Sequence, residues 1–99
     1  MHEIRKALED LGFEKVREIE RDPLCLLLLL TIEGREVLVE IAQGTRALYA
    51  KIVPADRVPP SYWKCGYLGY VPNGLYAFAD NVVELAQRIS DKVRRLIKR

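Results

Sequence analysis

The chain has 99 residues, 49% hydrophobic and 30% charged, with a formal net charge of +2. That length fits one domain, residues 1–99, and the composition excludes a disordered chain. A chain of this size buries roughly two-thirds of its unfolded surface, so a core forms without metal or disulfide staples.

In chain order, Ile4, Ala7, Leu8 and Leu11 recur at helical spacing and Gly12 follows as a stop signal, which predicts a helix over about 2–11. Residues 13–20 carry two readings: Val16 and Ile19, three apart, suit a helix, and the spread of charged side chains suits an exposed edge strand, the reading preferred here. Leu24 to Ile32 is a continuous apolar run bounded by Pro23 and Gly34, as in a central strand covered on both faces. Glu33-Gly34 is the predicted hairpin turn. Arg35 to Ile41 then alternates, with Val37, Val39 and Ile41 on one face and Glu36, Leu38 and Glu40 on the other. The two glutamates are expected to be solvated. After a turn at Gln43-Gly44, Leu48, Ala50 and Ile52 share one face of a further strand that Pro54 ends.

Past Pro54 a short helical turn is expected after Pro59-Pro60. A small hairpin is expected around Pro72-Asn73-Gly74, flanked by Tyr67–Val71 and Leu75–Phe78. Asn81, with Glu84 three residues on, resembles a capping box for a final helix. Its apolar stripe is Val82, Leu85, Ala86, Ile89, Val93, Leu96 and Ile97. The predicted fold class is therefore α+β: an antiparallel sheet of three to five strands, a short N-terminal helix and a long amphipathic C-terminal one. Leu26, Leu28, Leu30, Val37, Val39, Ile41, Leu85, Ile89 and Val93 are the expected core.

The apolar run Leu24 to Leu30 is far shorter than the roughly 20 residues that span a bilayer. No basic start followed by a hydrophobic stretch opens the chain. A cytoplasmic protein with no membrane partner is expected. Two Ser, two Thr, two Asn and two Gln stand against thirty charged side chains, a bias that points to a heat-adapted, archaeal source. Residues 1–44 carry six basic and ten acidic side chains, and residues 45–99 carry ten basic and four acidic. Cys25 lies in the apolar run and Cys65 in a loop. Their spacing fits neither a metal nor a redox motif; a disulfide between them is left open, since heat-adapted cytosols tolerate such bonds, and two free thiols are the favoured expectation.

No catalytic, cofactor-binding or metal-ligating set is predicted. The single histidine, His2, sits beside the first methionine, a poor place for a general base. Glycine-rich phosphate loops, metal-ligand spacings and nucleophile elbows are absent from the sequence. An enzyme is not expected.

Six of the eight aromatic residues lie between Pro54 and Phe78, together with four of the five prolines and three of the six glycines. Rings held on such a frame make a contact surface at low entropic cost. Arg57, Tyr62, Trp63, Lys64, Tyr67 and Tyr70 form the candidate interaction set. Trp63 is its anchor, the tyrosines flank it, and Arg57 and Lys64 supply a polar rim. The expected function is a non-catalytic interaction protein that self-associates as a homodimer through residues 57–78.

Nucleic-acid binding is the alternative, with Lys51, Arg57, Lys64 and the tail cations meeting phosphates while rings stack bases. The order helix, three strands, helix resembles the double-stranded-RNA-binding domain in element order. That family clamps phosphates with lysines at the start of the last helix, where this chain reads Asp80-Asn81-Val82-Val83-Glu84. Two acids there would repel the backbone. In outline the chain is also similar to the dimeric secretion chaperones, a likeness of architecture alone.

Overall fold

The computed structural model describes residues 2–98; Met1, Arg99 and the side chain of His2 lie outside that description. Five strands run β1 (Lys15–Asp22), β2 (Cys25–Ile32), β3 (Arg35–Gln43), β4 (Leu48–Pro54) and β5 (Leu75–Ala79), between helices α1 (His2–Asp10) and α2 (Val82–Ile97). The sheet is antiparallel throughout, and its spatial order is its sequence order. The expected α+β class, the edge strand after the first helix and the central leucine strand are all present.

Local chemistry explains the punctuation. Glu33 and Gly34 both take positive φ, 52° and 75°, the pair of values that lets a two-residue turn match the twist of β2 and β3. The side chain of Asn81 accepts a hydrogen bond from the Glu84 N–H at 2.9 Å and so caps α2. Glu84 does not complete a capping box; its carboxylate pairs with Arg88 instead.

Both helices cover one face of the sheet. Leu26, Leu28 and Leu30 of β2, Val37, Val39 and Ile41 of β3, and Ala50 and Ile52 of β4 are buried there. They pack against Ile4 and Leu8 of α1 and Leu85, Ile89 and Val93 of α2. Arg94 ties the two helices, donating from Nη2 to the Leu11 carbonyl at 2.7 Å. Each predicted core residue is buried.

The opposite face carries a second core. Leu27, Leu29, Leu38 and Val53 project from the middle strands and are covered by Ala55, Val58 and Leu68 from the connection between β4 and β5. Three short 3-10 turns, Ala55–Arg57, Pro60–Tyr62 and Leu68–Tyr70, shape that connection into a lid. The turn after Pro59-Pro60 is as expected. The hairpin around Pro72-Asn73-Gly74 is not: Leu68–Tyr70 is helical because Leu68 must point inward to plug the lid, and Leu75–Ala79 pairs with β4. Among the described residues, no helix is long and apolar enough to cross a membrane.

Cys25 and Cys65 are joined in a disulfide, so the expectation of two free thiols is wrong. The bridge ties the first residue of β2 to the middle of the lid. No spacing rule could have shown this, because the lid's path over the sheet brings together residues 40 apart.

Candidate interaction surface

The lid is held to the sheet at four points and braced by one hydrogen bond of its own, from Trp63 to Val58. Besides the bridge, the Cys65 N–H donates to Glu20 Oε1 at 2.7 Å and the Gly66 N–H to Glu40 Oε1 at 2.6 Å. Lys51 Nζ donates to the Val71 carbonyl at 2.6 Å, and Trp63 Nε1–H to the Val58 carbonyl at 2.7 Å. Glu40 and Lys51 face each other across β3 and β4, and both are buried. A buried charge is tolerated only where it is hydrogen-bonded, and each of these holds a backbone group of the lid. Glu40 is therefore not the solvated carboxylate expected from alternation. Lys51 is likewise committed to the protein's own backbone instead of being free to meet phosphate.

On this fixed frame several rings face outward. Tyr62 is 51% exposed, Tyr67 45% and Tyr70 86%. Tyr62 and Tyr67 pair with centroids 5.6 Å apart. Arg57 and Lys64 are exposed beside them. Trp63 behaves differently. It is half-buried, packs against the lid core and turns its N–H inward, so part of the expected anchor is already used in the fold.

The lid leaves the outer face of β4 and β5 open. There Tyr76 and Phe78 stack at 6.2 Å with planes 14° apart, and Tyr49, opposite Phe78 in register, lies 6.3 Å from it. Lys51 sits over the Tyr76 ring at 4.9 Å from the centroid. Tyr76 and Phe78 lie within the 57–78 segment expected to make contacts but outside the six residues singled out in it, and Tyr49 lies outside the segment altogether. The signal was present in the alternation Tyr76-Ala77-Phe78-Ala79: small residues face α2, which lies close to β5, and large ones must then face away.

No family model, curated protein or solved structure matches the chain. What it can do is read from its surfaces alone.

An open cleft of about 740 Å³ lies beside Trp63, between the β2–β3 turn, the start of the lid and the end of α2. Its volume falls within the range of small-ligand sites. Its charged lining is mixed in sign, Arg35 and Arg57 against Glu36 and Asp56, and its apolar part is Val58, Trp63, Leu96 and Ile97. Among the described residues that lining has no histidine, cysteine, serine or lysine, and its possible nucleophiles and bases are the carboxylates of Glu36 and Asp56. The rings remain the more specific feature.

Proposed function

We propose that this chain is a non-catalytic interaction module that self-associates, as a homodimer, through the aromatic surface of its lid. The observation that carries this reading is the exposure of Tyr62, Tyr67 and Tyr70 on a segment pinned to the sheet by a disulfide and three hydrogen bonds. Together with Tyr76 and Phe78 these rings leave roughly 550 Å² of aromatic surface in water, taking about 200 Å² per ring. A standard interface covers about 800 Å² per partner, so the rings would supply most of one and Arg57 and Lys64 its rim. Trp63 acts as the stiff base on which the tyrosines stand.

Sedimentation velocity across a concentration series tests this reading. Tyr70→Ala removes an almost free ring that no hydrogen bond ties to the fold. It should weaken the dimer at least fivefold, the loss of about 1 kcal/mol expected of an anchor. Association unchanged in both Tyr70→Ala and Tyr62→Ala, or a parent that stays monomeric at millimolar concentration, refutes it.

One observation favours a second reading, binding of single-stranded nucleic acid: the Tyr76–Phe78 stack lies on an uncovered sheet face, where bases can add to it. A gel-shift titration at two salt concentrations decides. Phosphate contacts give a steep salt slope, and no shift at low salt removes this alternative.

The setting proposed is the cytosol of a heat-adapted archaeal cell, where intracellular chains keep disulfides. The charge-rich, amide-poor composition supports it. A melting midpoint inside the mesophile range of about 45–65 °C would count against it.

A further inference from the structure

We infer that opening of the Cys25–Cys65 bridge by a dithiol reductant creates a binding site for a zinc-class divalent cation, made of both thiols and the carboxylates of Glu20 and Asp22. The inference begins with an irregularity in β1. Val16 lies opposite Leu30 and faces the helices; strict alternation would send positions 18, 20 and 22 the same way. A bulge between Glu18 and Glu20 adds one residue, Ile19, and reverses the faces beyond it. Glu20 then stands opposite Leu27 and Asp22 opposite Cys25, on the lid side of the sheet. The bulge thus aims two carboxylates at the one place where the lid is bonded to β2.

The distances match that placement. A carboxylate oxygen of Glu20, one of Asp22 and the Cys65 sulfur all lie within 4.8 Å of one another. Cys25 contributes the fourth donor through its bond to Cys65, with Cα atoms 6.1 Å apart. In a tetrahedral site with zinc–sulfur bonds of about 2.3 Å, two thiolates sit about 3.8 Å apart, a separation that side-chain rotation reaches from this backbone spacing. The carboxylates are already oriented. Glu20 Oε1 accepts from the Cys65 N–H at 2.7 Å and Asp22 Oδ1 from the Leu24 N–H at 2.8 Å, which leaves the second oxygen of each for the metal. The donor set of two sulfurs and two oxygens suits zinc and excludes magnesium and calcium, which take oxygen alone. Asp22 is exposed, so the site opens to solvent at the β1 edge of the sheet.

The chemistry balances in two steps. A dithiol transfers two electrons and two protons to the bridge, giving two thiols and its own cyclic disulfide. The cation then displaces both thiol protons to water as two metal–sulfur bonds form. The tie between β2 and the lid is thereby carried by a metal in reducing conditions and by sulfur–sulfur bonding in oxidising ones.

The test uses the full chain, reduced with a phosphine, freed of reductant under argon and titrated with Co²⁺ while absorption is recorded. One equivalent should give the near-ultraviolet thiolate-to-cobalt band and the visible bands of tetrahedral cobalt, and Zn²⁺ should abolish both. The oxidised chain should show neither. The double variant Glu20→Gln/Asp22→Asn keeps both cysteines and should bind at least about tenfold more weakly. Absence of the charge-transfer band in the reduced parent, or equal affinity in the double variant, overturns the inference. Circular dichroism of the same samples covers loss of structure on reduction. A reduced chain that unfolds and regains its oxidised spectrum on adding Co²⁺ supports the site, and one that stays unfolded refutes it.

Discussion

Replacing both cysteines, Cys25→Ala with Cys65→Ala, isolates what the bridge contributes. The two positions are 40 residues apart, and closing a loop of that size removes about 13 cal/mol/K from the unfolded chain, or about 4 kcal/mol at 25 °C. Small domains have about 5–15 kcal/mol in total, so this is a large share. The folded state should hardly change. The lid keeps its bonds to Glu20, Glu40 and Lys51, and its Leu68 stays fully buried against the sheet. The double variant should therefore retain the parent's far-ultraviolet spectrum and Trp63 emission while its melting midpoint falls by roughly 15–30 °C. Guanidinium unfolding followed by both signals measures the difference, and the slope m should rise because the unfolded chain, freed of its cross-link, expands. A loss below about 1 kcal/mol would show that the entropy account fails here. A Trp63 transition that precedes the loss of secondary structure would show instead that the bridge, not the hydrogen bonds, holds the lid closed.

Three further substitutions probe separate layers. Leu68→Ala empties the centre of the second core and should cost about 3–5 kcal/mol in denaturant unfolding, with the 55–71 amides losing exchange protection first. Gly74→Ala would put a methyl group 2.6 Å from Lys51 Cε, 2.8 Å from Val53 Cγ1 and 3.0 Å from the Ile52 carbonyl oxygen. Val53 and the Ile52 backbone cannot yield, so about 1–3 kcal/mol of stability should be lost, read as a lower melting midpoint. Asn81→Ala removes the α2 cap and should cost about 1 kcal/mol by the same measurement, whereas Asn81→Asp keeps the acceptor and should hold at least the parent's value.

The helix-covered half of this fold was legible because its signals are local. The leucine run, the Glu33-Gly34 turn, the alternation of Val37, Val39 and Ile41 and the stripe of α2 each repeat with a period that their own segment sets. The lid has no such period. Val58 and Leu68 are ten residues apart in a stretch broken by Pro59, Pro60 and Gly66, and only the sheet face beneath makes them one core. For the same reason Glu40 read as solvated: alternation assigns it a face, but what covers that face is Gly66, 26 residues later. The exposed tyrosines of the lid were legible by composition. Tyr76 and Phe78 required knowing that a helix would press on β5 from the other side.

How the molecule would meet a second copy is constrained by its edges. A sheet with open edges can add a strand, and both edges here are blunted. Along β1 run Lys15, Arg17, Glu18, Glu20, Arg21 and Asp22, with a bulge in the middle. At β5 the side chain of Arg88 reaches round from α2, donates to the Phe78 carbonyl and is itself held by Glu84. Arg88 thereby occupies an acceptor that an incoming strand would need. Self-association, if it follows the proposed route, must then use side chains on a face, and the faces differ. One is buried under helices, while the other is divided between a pinned lid and the open rings of β4 and β5. Rings fixed by stacking and a disulfide-anchored frame have little freedom left to lose on contact. The blunted edges thus disfavour strand addition, and the proposed dimer draws instead on the exposed rings.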